Sequence, residues 1–376
     1  MPLQFFLKQQ LHFSPLDMAR FFIIAGIAWY LKPLAGMFSD YFPMFGSRRH
    51  SYMIAGSLSV MLLWLLIGFG PQTRPALLGA VCALTTMMAI SSATVSALVV
   101  EGGRKFAATG RLSSVRRTAE YVAGMLVGPV GGFLALYSLR YSGLVCAALA
   151  LILVMVIFSF RIGEDVPATR KSWAELRSTV SEMLRCRPMW AAATLFFLLS
   201  FSPGFQTPLF YYQTNTLGFS PRFIGSLTLV SALFSVIGTA AYAWLCARAG
   251  LRSLIAVAVV LDAAAQTMFV FYNSAGSALV IEATAGLMRG FVWMPILDLL
   301  VRAVPKGNEA VGAALEWSPA NVAVAVSDLA GSWLYQQYGI SFRSLAWLNG
   351  GTTLLILFVV PFLPAQVMAA REGDAA

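Results

Sequence analysis

Predominantly apolar runs of about 20 residues recur along this chain, separated by short polar segments. A helix needs roughly 20 apolar residues to cross the hydrocarbon core of a bilayer. Eleven such runs are present, at about 16–38, 52–70, 76–100, 116–138, 143–160, 188–212, 221–246, 253–272, 277–301, 309–336 and 344–363. Only 11% of the residues are charged, against about 25% in a soluble domain. Because barrel strands alternate polar and apolar residues, these solid runs predict an all-α polytopic membrane protein.

The sequence lacks the motifs that usually indicate disulfide, metal-binding, ATP-binding or enzymatic chemistry. The four cysteines are scattered and only two histidines are present, which indicates neither a disulfide framework nor a metal site. No phosphate-binding loop of the form GxxxxGK[ST] occurs, and no nucleophile–base pair is evident. The sequence therefore predicts that the protein is not an enzyme and holds no metal or cofactor.

Two segments half a chain apart resemble each other. Residues 2–15 (PLQFFLKQQLHFSP) and 208–221 (PLFYYQTNTLGFSP) share six of fourteen positions at an offset of 206. Such repeats predict a duplicated architecture of two helical bundles. The basic segment 161–187, with an amphipathic helical pattern typical of a membrane surface, separates them. We therefore expect an N-terminal bundle at 1–160, a cytoplasmic linker at 161–187 and a C-terminal bundle at 188–376.

The net charge of +10 is distributed as a topology signal. The loops and termini on one side of the membrane carry 18 Lys and Arg residues, and those on the other side carry 5. The richer side is expected to be cytoplasmic and to include the C-terminus, in a cell (inner) membrane. A nucleic-acid partner is not needed to explain the charge.

Ionisable residues inside the spans follow a pattern of their own. Three spans, 52–70, 143–160 and 344–363, carry none, and the span 253–272 carries only Asp262. A charge at mid-membrane costs about 2.5–3.5 kcal/mol on insertion scales, so charged residues face a bundle interior or a watery cavity. Charge-free spans can face lipid, which predicts an outer ring of roughly every third helix around a polar-lined inner set.

The segment 32–49, KPLAGMFSDYFPMFGSRR, carries a family resemblance. Its Gly36, Asp40, Arg48 and Arg49 resemble the signature loop between helices 2 and 3 of the major facilitator superfamily. That resemblance implies two bundles of six helices that transport by alternating access, with Lys32, Gly36, Asp40, Arg48 and Arg49 in gating roles. The stretch Gly124-x-x-x-Gly128-Pro129-x-Gly131-Gly132 resembles the antiporter motif of the superfamily, although such clusters are also ordinary packing devices.

Further sequence motifs, more specific than the superfamily signature, resemble those of the folate–biopterin transporter family. They include Leu11-x-Phe13-Ser14-Pro15, Asn215-x-Leu217-Gly218-Phe219-Ser220-Pro221 and Asp298-Leu299…Pro305-x-Gly307-x-Glu309. The resemblance implies a secondary transporter of a pterin- or folate-like solute, for which we expect proton coupling through Glu120 or Glu282. We also expect it to act as a monomer in the bilayer. One departure is the stretch from Ser96 to Glu101, where the family usually has further acidic residues. Two alternatives therefore stay open: a permease for a muropeptide, sugar or drug, and a membrane assembly factor that does not transport.

Members of the family have twelve numbered helices. The repeat aligns residues 2–15 with residues 208–221, which are the end of helix 7 and the loop that follows it. The spans present would then be helices 2 to 12, with helix 1 missing. Either the start codon is placed too far downstream or the protein is a degenerate paralogue.

The candidate binding residues are polar and charged side chains in the spans and next to them, because placing such groups in a membrane costs free energy. Arg289 lies two helical turns from Glu282, which suits a solute anion or an internal salt bridge. Glu120 and Asn321 occupy equivalent places in the two halves at an offset of 201, which suits a site at the repeat interface. For Glu120 the alternative is a pair with Arg116. Gln206 and Tyr211 could bind or stack on a planar ligand, or form an interface belt.

Overall fold

The computed structural model describes residues 1–34, 50–105, 109–160, 177, 181–183, 185–246, 248–303 and 309–363, and this part of the chain contains helices and no strand. The helices of the N-terminal half are α1 (Pro2–Gln9), α2 (Pro15–Ala25), α3 (Ile27–Tyr30), α4 (His50–Phe69), α5 (Arg74–Lys105), α6 (Thr109–Leu134) and α7 (Leu139–Ser159). Those of the C-terminal half are α8 (Arg187–Phe201), α9 (Gln206–Tyr211), α10 (Pro221–Leu245), α11 (Leu251–Met268), α12 (Ala275–Ala303), α13 (Glu309–Gln337) and α14 (Phe342–Leu355).

Eight helical segments in the described ranges are long and apolar enough to cross a membrane. They are His50–Phe69, Arg74–Ser96, Leu139–Ser159, Arg187–Thr216, Pro221–Tyr242, Leu251–Phe271, Ala275–Leu300 and Phe342–Phe362. The other three predicted spans correspond to α2 with α3, to α6 and to α13. Helix α13 has 29 residues, whereas the apolar part of α6 is shorter, at Val122–Leu134. The all-α membrane fold is confirmed, and the count of eleven spans stays a prediction.

The three spans predicted to carry no charge correspond to α4, α7 and α14. Helices α4 and α7 pack mainly against each other, and α14 packs mainly against α11, the helix that carries Asp262. On α7 most side chains that point away from α4 are exposed large hydrophobic residues, as expected for a surface in lipid. The two halves meet mainly along two helix pairs in the described residues, α2 with α13 and α6 with α10.

The sequence repeat is also a structural repeat. Ser14 and Ser220 cap the N-termini of α2 and α10, and each is followed by a proline at the first helical position. Just before the caps, His12 and Gly218 both adopt a positive φ, of 50° and 64°. The two copies also contact each other, because Lys8 donates hydrogen bonds to Thr214 Oγ1 and Asn215 Oδ1. Equivalent positions, 8 and 214, therefore meet between the halves.

The predicted linker and the loop with the signature motif fall largely outside the described residues. Of the linker, only 177, 181–183 and 185–187 are described. Gly36, Asp40, Arg48 and Arg49 lie in the range 35–49, which is not described. The division into 1–160, 161–187 and 188–376 stays a prediction.

Candidate functional site

A cavity of about 450 Å³ lies within the C-terminal half. Its walls are the cavity-facing sides of α8 to α13 together with Asn349 of α14. Ligand pockets in proteins typically have volumes of about 300–1,000 Å³ and combine apolar walls with a few polar groups. The volume and the mixed lining therefore fit an organic solute of moderate size.

Helix α12 supplies a row of three functional side chains to this cavity. Glu282, Arg289 and Trp293 all line it, at spacings of seven and four residues that place them on one helix face. The same helix is held against α10 by Gly286 and Gly290, because a side chain at either position would overlap the backbone of Ser231 or Ser235. The Ser235 hydroxyl donates a hydrogen bond to the Gly286 carbonyl at 2.9 Å. This close packing fixes which face of α12 is turned to the cavity.

The cavity holds three carboxyl groups and one guanidinium group. Arg289 interacts electrostatically with both Asp262 and Glu282. Asp262 accepts a hydrogen bond from Gln266 Nε2 at 3.2 Å, and Glu282 is only 9% exposed. The Ser231 hydroxyl is buried beside Glu282, outside hydrogen-bond geometry.

Arg289 has room to bind a ligand. Its side chain is exposed where it lines the cavity, and within the described ranges it forms no hydrogen bond to either carboxyl. A guanidinium offers five N–H donors in a planar fork that suits carboxylates. The arrangement can therefore take up an anionic group without first breaking a hydrogen-bonded salt bridge.

The third carboxyl group ties two helices together. Asp328 on α13 accepts hydrogen bonds from the backbone N–H of Thr207 at 2.9 Å and from its hydroxyl at 2.6 Å. Directly beside this contact, α13 crosses the start of α9 at Gly331 and Gly204, where no side chain would fit. Asp328 thus lines the cavity and also anchors α9 to α13.

Three aromatic residues form a cluster at one end of the α12 row. Trp293 and Trp317 are parallel within 2°, with ring centroids 6.2 Å apart. Phe196 contacts both indoles edge-on, at 5.4 and 5.1 Å. Phe196 and Trp293 line the cavity, whereas Trp317 is not among the lining residues.

The predicted binding residues divide into two groups. Arg289, Glu282 and Gln206 line the cavity. Tyr211, Asn321 and Glu120 do not. Tyr211 is buried and donates a hydrogen bond to the Phe13 carbonyl of the other half, and Asn321 Nδ2 donates to the Trp29 carbonyl at 3.3 Å. The Glu120 side chain is exposed on α6.

Lys32 is the one predicted gating residue that is described. Its Nζ donates a hydrogen bond to Ser92 Oγ at 3.0 Å and lies 5.4 Å from the centre of the Trp29 ring. Lys32 therefore joins the end of the α2–α3 segment to α5 within the N-terminal half.

Sequence reasoning gave no binding role to Asp262, Trp293 or Phe196. The available signals were modest: Asp262 is the single ionisable residue of its span, and Trp293 lies one helical turn beyond Arg289. Neither signal specifies the helix rotation that turns these side chains towards the cavity.

The fold and the site define a helical membrane transporter for solutes. Its structure resembles that of a D-xylose-proton symporter, with a TM-score of 0.73 at 15% sequence identity, over 94% of this chain and 88% of the other. A POT family transporter, solved in complex with a thioalcohol-conjugated peptide, aligns with a TM-score of 0.71 at 11% identity, over 94% and 88%. At these identities the likeness establishes the fold: a major facilitator arrangement of two helical bundles.

The chain belongs to the BT1 family, whose model matches residues 1–374. It is 29% identical over 387 residues to the "Folate-biopterin transporter" of Synechocystis sp., covering 96% of this chain and 76% of that protein. It is 23% identical over 379 residues to "Folate transporter 1" of Plasmodium falciparum, covering 96% and 73%. The chain is thus a membrane solute transporter, and the prediction that it is not an enzyme is confirmed.

Proposed function

We propose that the protein transports a pterin- or folate-like organic anion by alternating access, and that the cavity of the C-terminal half forms part of the binding site. The observation that carries this proposal is Arg289, an exposed guanidinium in a cavity that also presents an indole ring. An anionic, planar solute matches both groups. The names of the relatives in Synechocystis and Plasmodium support the same solute class.

We infer proton coupling from the charges in the cavity. Three carboxyl groups face one guanidinium, so an anion that enters with all of them ionised meets a negative site. Each proton taken up by a carboxyl removes one negative charge and makes binding of the anion more favourable, since like charges at close range disfavour each other. We therefore propose Asp262 and Glu282 as the groups that carry the proton, because Asp328 is already bound by Thr207.

The remaining roles are proposed from the sequence. Glu120, Asn321 and Tyr211 stay candidates for the site in another conformation of the transporter. Lys32, Gly36, Asp40, Arg48 and Arg49 are proposed to close the cytoplasmic side. The protein is proposed to act as a monomer in the inner membrane with its C-terminus in the cytoplasm, as the Lys and Arg distribution favours.

Uptake of labelled folate into proteoliposomes that contain the full chain tests the solute class. An acid-outside pH gradient is expected to drive uptake. Xylose, a dipeptide and a muropeptide serve as competing solutes from the alternative classes. Strong uptake of one of these, with none of folate, would overturn the proposed solute.

Variants of Arg289 test the site. Arg289→Ala is expected to lower uptake at least about tenfold, since a hydrogen bond to a charged group contributes about 1.5–3 kcal/mol. Arg289→Lys should retain part of the activity, because it keeps the charge and loses the planar fork. Arg343→Ala is the matched control, since Arg343 is exposed and does not line the cavity. Equal uptake by wild type and Arg289→Ala would remove Arg289 from the site.

A further inference from the structure

The aromatic cluster combines one stacked pair of indoles with two edge-on contacts. Trp317, which does not line the cavity, stacks on Trp293, which does, and Phe196 contacts both rings edge-on. Aromatic pairs of these geometries stabilise each other beyond the effect of the area that they bury. The indole of Trp293 is therefore held in one orientation while part of its surface is available to a ligand.

Two charged residues, Arg289 and Glu282, lie on the same face of α12 as the Trp293 indole. Trp293 follows Arg289 by four residues on α12, which is one helical turn or about 6 Å along the helix axis. Glu282 lies about 16 Å from Trp293 along the same axis, at the other end of the row. One face of a single helix thus presents an indole, then a guanidinium, then a carboxyl to one cavity.

We propose that Trp293 is the residue that selects aromatic solutes, by stacking on a planar ring whose acidic group is bound by Arg289. Trp317 and Phe196 act as positioning residues that hold the indole in place. This inference rests on the proposed function and deepens it. It specifies the substrate class as a planar heteroaromatic ring with an anionic group about one helical turn away, and it predicts poor binding of aliphatic anions of the same charge.

Two probes separate the roles of Trp293 and Arg289. Unsubstituted pterin carries the ring without a carboxylate, and pterin-6-carboxylate carries both. Binding of each to the purified full chain in detergent is measured by isothermal titration, which does not depend on transport. Trp293→Leu is expected to weaken both probes about tenfold, because stacking of a base on an aromatic side chain contributes about 1–3 kcal/mol. Arg289→Ala is expected to weaken pterin-6-carboxylate alone.

Two further variants distinguish ring stacking from a structural role. Trp293→Phe keeps an aromatic face and should restore most of the affinity. Trp317→Leu removes an equally large indole from the same cluster without removing a lining residue, and should change affinity less than Trp293→Leu. Thermal unfolding of each variant shows whether the fold is retained.

The outcomes are distinct for the two proposals. If wild type binds neither probe and takes up no folate, the proposed function fails. If wild type binds both probes and Trp293→Leu binds them equally well, this inference is overturned. It is also overturned if Trp317→Leu and Trp293→Leu lose the same affinity and the same thermal stability, because the cluster then acts only in packing.

Discussion

The groups around Asp262 in the cavity are the reason for proposing that it carries a proton. It is the single ionisable side chain between residues 253 and 272, and it reaches the cavity from α11. Its carboxyl is bound by Gln266 and lies within electrostatic range of Arg289. Placing such a charge in a span costs about 2.5–3.5 kcal/mol on insertion scales. This position near the proposed binding arginine is the basis for proposing Asp262 as a proton carrier.

Replacing Asp262 by asparagine tests that role. Asp262→Asn keeps the size of the side chain and an oxygen that can accept from Gln266, but it cannot lose or gain a proton. We expect uptake driven by a pH gradient to fall at least about tenfold, while exchange of solute at equal pH on both sides is largely kept. Asp298→Asn is the control, because Asp298 lies on α12 and is not among the cavity-lining residues. Full gradient-driven uptake by Asp262→Asn would contradict the role.

The candidate site was only partly predictable at the level of residues. The cost of charge inside a span singled out Arg289 and Glu282 as candidates, and both line the cavity, while their binding role stays a prediction. Equivalence between the halves was less informative, because Asn321 is directed to the Trp29 carbonyl and Glu120 is exposed on α6. Side-chain direction depends on the rotation of each helix. In helices that are apolar on every side, the sequence pattern contains little information about that rotation.

At the level of elements, small residues determine how the helices cross. Helices α6 and α10, from opposite halves, approach closely at Gly128 and Gly225. A Cβ atom at Gly128 would lie 2.6 Å from the Gly225 carbonyl oxygen, and one at Gly225 would lie 2.5 Å from the Gly128 carbonyl oxygen. Small residues are the usual means by which membrane helices pack closely. The glycine cluster that resembles an antiporter motif therefore has a clear packing role.

Two alanine substitutions within that motif should behave differently. Gly128→Ala is expected to lower the thermal stability of the detergent-solubilised protein, because overpacking typically costs about 1–3 kcal/mol. Gly124 lies one turn earlier on α6, and a Cβ atom there meets nothing within 4 Å. Gly124→Ala should therefore be neutral or stabilising by up to about 1 kcal/mol, through its better helix propensity. Similar melting curves for the two variants would show that this crossing does not depend on Gly128.

At the level of the whole molecule, the repeat was the most useful sequence signal for the fold. It predicted two related halves, and residues 8 and 214 of the repeat are in contact. The sequence could not predict this contact, because an offset between copies says nothing of how the halves are docked. The Tyr211 hydrogen bond to the Phe13 carbonyl joins the two copies as well. One end of the molecule, which the charge distribution predicts to be the outer end, is thus closed by contacts between the halves.

These contacts have to break whenever the halves separate at that end. Besides its two hydrogen bonds, the Lys8 ammonium lies 5.1 Å from the centre of the Tyr211 ring and 5.6 Å from that of Phe210. Removing the ammonium should shift the population towards molecules that are open at this end. We expect Lys8→Ala to increase, about fivefold, the rate at which a cysteine placed at cavity position 206 reacts with a membrane-impermeant thiol reagent. The corresponding shift is about 1 kcal/mol, in the range of one typical hydrogen bond.

The experiment uses a background in which the four native cysteines are replaced. Arg74→Ala is the matched control, because Arg74 also places a cation at this end but donates its hydrogen bond to the Leu11 carbonyl of the same half, at 2.9 Å. Contacts within one half survive a rocking motion, so this variant should leave the labelling rate unchanged. Equal acceleration in both variants would indicate local loosening instead of separation of the halves. An unchanged rate in Lys8→Ala would show that the Lys8 contacts do not hold this end closed.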